Sequence, residues 1–404
     1  MLSFLLSDDV RRDPYPWYEH MREASPVLCD PASGVCMLFD YASVKRAMDD
    51  PDTFSSRAAP PGGKPFDWLV FSDPPRHTML RAIIMRAFTP RSIELLEPRI
   101  RTLSANLLDG LVDAGAMDLV ADFATPLPTL VIAEMLGIPL DDRPRFTEWS
   151  EAIVNLSYSI PGGEEGARAQ REFGIARGEI AAYLADTLDD RRSSPREDLL
   201  SRLVAGEVDG RHLTDDEIVG FFILLLSAAT ETTTNLVSNA MLCLMEHPDQ
   251  RARLAHSLSL LPAAIEEVVR YRSPAQIIFR CATREVTMHG QVIPEGRLVL
   301  AVVGSANRDA SQFPDPDTFD IARAPARHIG FGHGIHTCLG AALARLETRV
   351  AIGDLLARCP EMRLASRNPW EPRRALHVLG PSRLPVLFDA VSSRGRSSRS
   401  AAAG

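Results

Sequence analysis

The chain has 404 residues, 45% hydrophobic and 24% charged, with a net charge of −9. That length and composition suit one large globular domain or two or three small ones, and the acidic balance excludes bulk attraction to nucleic acid. The six cysteines (Cys29, Cys36, Cys243, Cys281, Cys338 and Cys359) form no C-x-x-C pair, which argues against a disulfide framework or a zinc site and for a reducing, cytoplasmic setting.

The apolar run in Met1–Asp9 is too short for a signal peptide or a membrane anchor. Val27–Cys29 and Val35–Phe39 flank Asp-Pro-Ala-Ser-Gly and read as a hairpin. Residues 55–72 are rich in Pro and Gly and carry Phe66, Trp68 and Phe71 without periodicity. This stretch, like the one around 157–166, is either a mobile flap or a plain surface connection. Asp73-Pro74-Pro75 introduces a helix on which His77 and Arg81, four apart, share a face.

The longest helix is predicted from Asp215 to Glu246. Thr214 and Glu217 form a capping-box pattern at its start and His247-Pro248 ends it. At 1.5 Å per residue it spans roughly 45 Å. Val219–Leu226 is apolar on every side, which places the helix in the protein's centre. A membrane span is disfavoured, because Ser227, Thr230 and Glu231 follow at once. Next come Glu267 and Arg270, three apart on a helix within Ala263–Tyr271. Val286–Met288, Gln291–Ile293 and Leu298–Val303 read as short strands broken by His289-Gly290 and Pro294-Glu295-Gly296. The Ser/Arg/Gly/Ala-rich end after Val391 reads as a disordered tail. The expected class is therefore mainly α with small β-sheets, in one domain over 1–390 followed by the tail at 391–404.

Two segments carry chemistry. In Phe331-Gly332-His333-Gly334-Ile335-His336-Thr337-Cys338-Leu339-Gly340 a cysteine follows a glycine-rich loop and precedes a helical pattern starting near Leu339. Gly332 and Gly334 let the backbone approach a flat cofactor. The helix start and the loop N–H groups favour a thiolate over a thiol. In Ala228-Ala229-Thr230-Glu231-Thr232-Thr233-Thr234-Asn235 an acid stands next to an alcohol inside an apolar helix. Back-bonded threonines beside a partnered Glu are the structural alternative.

The cysteine segment matches F-G-x-G-x-H-x-C-x-G at every fixed position and resembles the haem-ligand loop of the cytochrome P450 family. The central-helix segment resembles that family's A-G-x-[DE]-T motif, with Ala229 where Gly is usual. The E-x-x-R of Glu267 and Arg270, Arg323, the H-x-x-x-R of His77 and Arg81, and Gly380–Val386 occur in the family's order, so the resemblance covers nearly the whole chain. It implies a P450-like fold with haem b between the long central helix and the cysteine-loop helix. Cys338 would be the iron ligand, and His77, Arg81, Arg280 and His336 would contact the haem propionates. Glu231 would be the acid of a proton relay and Thr232 the alcohol at the oxygen site. Glu267, Arg270 and Arg323 would form a structural network. Phe66, Trp68, Leu225, Ala228, Ala229, Ile277, Ile278 and Val378 fall where family members touch substrate, or are ordinary core. His328 has no assigned role.

The implied function is that of a bacterial-type monooxygenase of secondary metabolism. It would insert one oxygen atom of O2 into an apolar lipid, terpenoid, steroid or polyketide-like molecule. No flavin or nicotinamide signature stands out, so a separate ferredoxin or flavodoxin with an NAD(P)H-dependent reductase would supply electrons. The expected enzyme is a monomer without a membrane anchor. Two alternatives are a haem-thiolate peroxygenase and a non-catalytic haem-based sensor; the Glu231-Thr232 pair argues against both.

Overall fold

The computed structural model describes residues 7–57, 68–156, 163–323, 327–365, 370–373 and 375–389. Phe66 and the tail from Val391 lie outside the described residues. Helices dominate. Those that build the site or pack on its central helix are α1 (Arg76–Ala87), α2 (Gly163–Ser193), α3 (Asp215–Glu246), α4 (Leu261–Tyr271) and α5 (Ala341–Arg358).

Helix α3 has the bounds read from its sequence. The Thr214 hydroxyl accepts from Glu217 N–H at 3.2 Å, and the Glu217 carboxylate accepts from Thr214 N–H at 3.0 Å. The helix runs through the hydrophobic core, packed by α2, α4, α5 and the helices at Pro126–Met135 and Arg143–Asn155. By length and composition α3 would pass for a membrane span, but most of its apolar surface is enclosed by protein. Helix α2 begins at Gly163, inside the stretch read as a loop, and α5 begins at Ala341 rather than near Leu339.

A five-stranded sheet stands beside the helices. Its strands are β1 (Val27–Cys29), β2 (Cys36–Leu38), β3 (Phe54–Ser55), β4 (Ile277–Ala282) and β5 (Leu298–Val302), in the spatial order β1-β2-β5-β4-β3. The predicted hairpin pairs Val27 with Leu38 and Cys29 with Cys36. That register puts the two cysteines directly opposite one another, and they are joined in a disulfide with Cα atoms 4.0 Å apart. The expectation of reduced cysteines is corrected here: pairing across a hairpin depends on register, which spacing along the chain does not display. Strand β4 was not read from the sequence. It pairs with β5 from Ile277↔Val302 to Cys281↔Leu298 and carries Arg280 toward the site. A smaller hairpin, β6 (Glu371–Pro372) and β7 (Pro381–Arg383), lies against α3.

Candidate active site

A cavity of about 310 Å3 opens between α3 and the cysteine loop with α5. On α3 its wall is Phe221, Leu224, Leu225, Ala228, Ala229, Thr232, Thr233 and Leu236. These positions recur at three- and four-residue steps, so they form one stripe of the helix. Glu231 is off the stripe: it is buried, 6% exposed, and does not line the cavity. The Thr232 hydroxyl lines the cavity and donates to the Ala228 carbonyl at 2.5 Å, which leaves its oxygen lone pairs free to accept.

Opposite α3 lies the cysteine loop. Gly332 and Gly334 have φ of 76° and 65°, a region that L side chains rarely adopt. A Cβ on Gly332 would stand 3.0 Å from the His336 carbonyl oxygen, so only glycine lets the loop fold back on itself here. Cys338 N–H donates to the Phe331 carbonyl at 2.8 Å and closes the loop. The Cys338 side chain is accessible, but the space it reaches is the cavity. Burial raises the thiol pKa; backbone N–H groups of Gly340 and Ala341 and the charges of Arg345 and Arg81 pull the other way without overcoming it. The helix start therefore acts in the expected direction, but burial outweighs it in the free thiol. A bound cation would reverse the balance, since a coordinating thiol is deprotonated outright.

The four predicted anion-binding residues converge. The His77 and His336 rings lie 4.3 Å apart between centroids. Arg81 donates to the Thr337 carbonyl at 2.7 Å, and Arg280 donates to the Ala47 and Phe279 carbonyls at 3.1 and 2.8 Å. The Ser56 hydroxyl meets His336 Nε2 at 2.8 Å. Among the described residues none of the four pairs with a carboxylate within ion-pair distance; the nearest carboxylate, Asp73, is held by Ser55 and Ser56. Burial, then the neighbouring arginines, pushes His336 down to about 3, and burial lowers Arg280 to about 10. His77 is 1% exposed and neither ring nitrogen has a partner. A buried cationic pocket with unmet donors fits a dianionic ligand. Among the described residues no three His, Cys, Asp or Glu side chains cluster as metal ligands, so a metal on Cys338 must bring its other ligands with it. A flat metal complex with two carboxylates, haem, meets both demands.

The Glu-Arg-Arg group also assembles. Arg270 donates to both Glu267 oxygens at 2.8 Å, and Arg323 Nε donates to Glu267 Oε1 at 3.1 Å. Arg270 further donates to the carbonyls of Asn307, Pro316 and Thr318, which ties α4 to the segment that leads into the cysteine loop. His328 has a role too. Its Nε2 and Arg345 on α5 both reach the Glu266 carboxylate on α4.

Of the candidate substrate contacts, Leu225, Ala228, Ala229 and Ile278 line the cavity, whereas Trp68, Ile277 and Val378 are buried elsewhere. Strand alternation separates the two isoleucines: Ile278 and Arg280 share one face of β4 and Ile277 the other. Trp68 packs against Phe71 and Phe173. Val378 bridges to Ala275. Among the lining residues that the sequence reading did not single out, one is ionisable. Glu347 on α5 is 1% exposed, lines the cavity, and has an unpartnered Oε2. Burial pushes its carboxyl up to about 8. The signal was its place on the inward stripe with Leu343 and Ala344.

Comparison with known proteins agrees with this geometry. A family model described as Cytochrome P450 matches residues 31–360. The vitamin D(3) 25-hydroxylase of Pseudonocardia autotrophica is 40% identical over 403 residues, covering 96% of this chain and 97% of its own. The erythromycin C-12 hydroxylase of Saccharopolyspora erythraea is 40% identical over 377 residues, covering 92% and 93%. The crystal structure of CYP109E1 from Bacillus megaterium in complex with testosterone matches with a TM-score of 0.84 at 38% identity, over 93% of this chain and 99% of that one. With a family model across most of its length and full-length relatives at this identity, the chain belongs to the cytochrome P450 family and is a monooxygenase that uses haem b.

Proposed function

We propose that this monooxygenase hydroxylates or epoxidises a bulky apolar molecule of the steroid, terpenoid or polyketide type. A separate ferredoxin or flavodoxin and its NAD(P)H-dependent reductase supply the electrons. A cytoplasmic, monomeric enzyme belongs to the same reading. The observation that carries it is the wall on the α3 side. Leu69, Leu224, Leu225, Ala228, Ala229 and Ile278 offer carbon surface, and the charged residues among the described lining, Arg81 and Glu347, belong to other walls. Such a surface rewards shape and apolar area and offers no partner to an ionised substrate. The names of the relatives point the same way, since vitamin D(3), erythromycin and testosterone are all bulky carbon skeletons.

When bound, the haem supplies the oxidising chemistry: reductive activation of O2 and insertion of one oxygen atom into a C–H or C=C bond. In this reading Cys338 holds the iron, and His77, Arg81, Arg280 and His336 hold the carboxylates. Thr232 accepts a hydrogen bond from water or substrate-side groups in the cavity while its own proton is committed to Ala228. Glu231, pushed up to about 7 by burial against the opposing pull of Arg373, is poised to exchange a proton near neutral pH. Thr232→Ala should leave substrate affinity intact but lower product formed per NAD(P)H by about tenfold, the balance appearing as peroxide. Unchanged coupling would move the relay to Thr233 or to water.

The substrate class is tested by optical titration of the ferric holoenzyme with a steroid, a macrolide, and a long-chain fatty acid beside its methyl ester. Spectral shifts from the neutral skeletons, and a tighter fit for the ester than the acid, are expected. Shifts from ionised acids alone would overturn the reading.

A further inference from the structure

On the face of α3 that flanks the cavity stripe, just out of the lining, runs a line of buried polar groups. Glu231, Asn235 and Ser238 stand at i, i+4 and i+7, so they share one face. Each is buried, and each has an atom without a hydrogen-bond partner: Glu231 Oε1, Asn235 Nδ2 and Ser238 Oγ. Thr230 Oγ1, from the residue before Glu231, is unpartnered as well. Buried polar atoms are nearly always satisfied, and internal water along this face would meet the groups that the protein itself leaves open.

The line meets one group that also reaches the outside. Arg373, half-buried beside β6, donates from Nε to Asn235 Oδ1 at 3.1 Å. Its backbone N–H donates to the Gly380 carbonyl at 2.9 Å, which pins the two arms of the hairpin over the helix. Gly380 is needed there, because a Cβ would stand 2.3 Å from Asn235 Oδ1. Arg373 forms no ion pair with Glu231, and its Nη atoms bond to no other described residue. Yet of all the elements packed on α3, only the one that carries Arg373 presents Glu231 with a charge, among the described residues.

We infer that Arg373 and Asn235 are the solvent-side half of the proton path: they position Glu231 and water along its face of α3, so that protons enter at the β6–β7 hairpin. The inference rests on the relay role given to Glu231 above. The step is a proton transfer only. A proton from bulk solvent is relayed by water at the hairpin, which takes up one proton as it gives one, to the Glu231 carboxylate; the resulting acid passes it to water on the Thr232 side and is left ionised for the next cycle. Arg373 stays charged throughout. It favours the carboxylate, whereas burial favours the acid.

The sign of the test follows. Glu231 holds its proton below its pKa and loses it above. Arg373→Met removes the one charge that favours ionisation, so the midpoint should rise by roughly one pH unit. The readout is infrared titration of the ferric holoenzyme, following the protonated-carboxyl C=O band that Glu231→Gln abolishes. Arg373→Lys should restore most of the midpoint, and Arg373→Gln replaces the Met variant if that one fails to fold. Asn235→Leu should leave the midpoint nearly in place but lower coupling several-fold and enlarge the solvent deuterium isotope effect on product formation. An unmoved midpoint in Arg373→Met or Arg373→Gln, or full coupling in Asn235→Leu, would overturn the inference. Full coupling in Glu231→Gln would instead overturn the relay role of Glu231 itself, and the two failures are separately visible.

Discussion

Cys338→Ala should abolish the thiolate-type carbon monoxide spectrum and lower product formation by well over a hundredfold. The basis is the poverty of alternatives around the sulfur. No other described group stands ready as a metal ligand: no three described donors cluster, His336 is engaged with Ser56, and burial pushes the carboxyl of Glu347, which also lines the cavity, up to about 8 and so disfavours its ligating form. Loss of outer-shell partners alone typically costs about 10–100-fold in metal affinity or activity, so loss of the ligand itself should exceed that. The haem pocket would survive in part, because the cationic set and the apolar walls do not depend on the sulfur. The expected outcome is a folded protein, with unchanged far-ultraviolet circular dichroism, that takes up less haem and shows no thiolate band. A thiolate band in the variant would mean that another cysteine reaches the iron. The other free cysteines are Cys243, Cys281 and Cys359, and none of them lines the cavity.

The parts of this molecule that the sequence displays are those written in local chemistry. A capping box and a His-Pro stop gave α3 its bounds, and two glycines with positive φ announced the cysteine loop. What stayed hidden depends on which side of an element its tertiary partners take. Glu231 and Thr232 are neighbours along the chain, so the motif reads as one device. Residues next to each other on an α-helix point about 100° apart, and the structure sends Thr232 into the cavity and buries Glu231 outside its lining. Ile277 and Ile278 pose the same problem on a strand: the apolar run Ile277-Ile278-Phe279 lacks the alternation that marks a half-buried strand, so neither β4 nor its inward face was legible. The Cys29–Cys36 bridge needed the register of a hairpin, and Arg373 needed its fold over α3. Glu347 was the exception that could have been found, a carboxylate set in an inward stripe.

Glu267→Ala should be the most destabilising single change in the chain, at about 3–5 kcal/mol, against a total of about 5–15 kcal/mol for a typical domain. The Glu267 and Arg270 side chains are 2% and 1% exposed. Removing the carboxylate leaves a buried guanidinium whose Nε and Nη2 lose their partner, with Arg323 Nε and Asp320 N–H losing theirs on Glu267 Oε1. Arg270 cannot escape to solvent, because its other bonds hold it to the carbonyls of Asn307, Pro316 and Thr318. The damage should therefore spread into the segment before the cysteine loop, and haem should be lost at a lower denaturant concentration than in the parent protein. Arg323→Ala is the graded comparison. Its side chain is 15% exposed, so water can replace part of what it gives, and a cost nearer 1 kcal/mol is expected. Denaturant titration followed by circular dichroism and by haem absorbance measures both. Removing Arg270 together with Glu267 should cost less than the sum of the two single changes, because the second removal no longer strands a charge. A double variant that costs the full sum, or a Glu267→Ala variant within about 1 kcal/mol of the parent, would show that the network is not the buried, interdependent unit that its geometry describes.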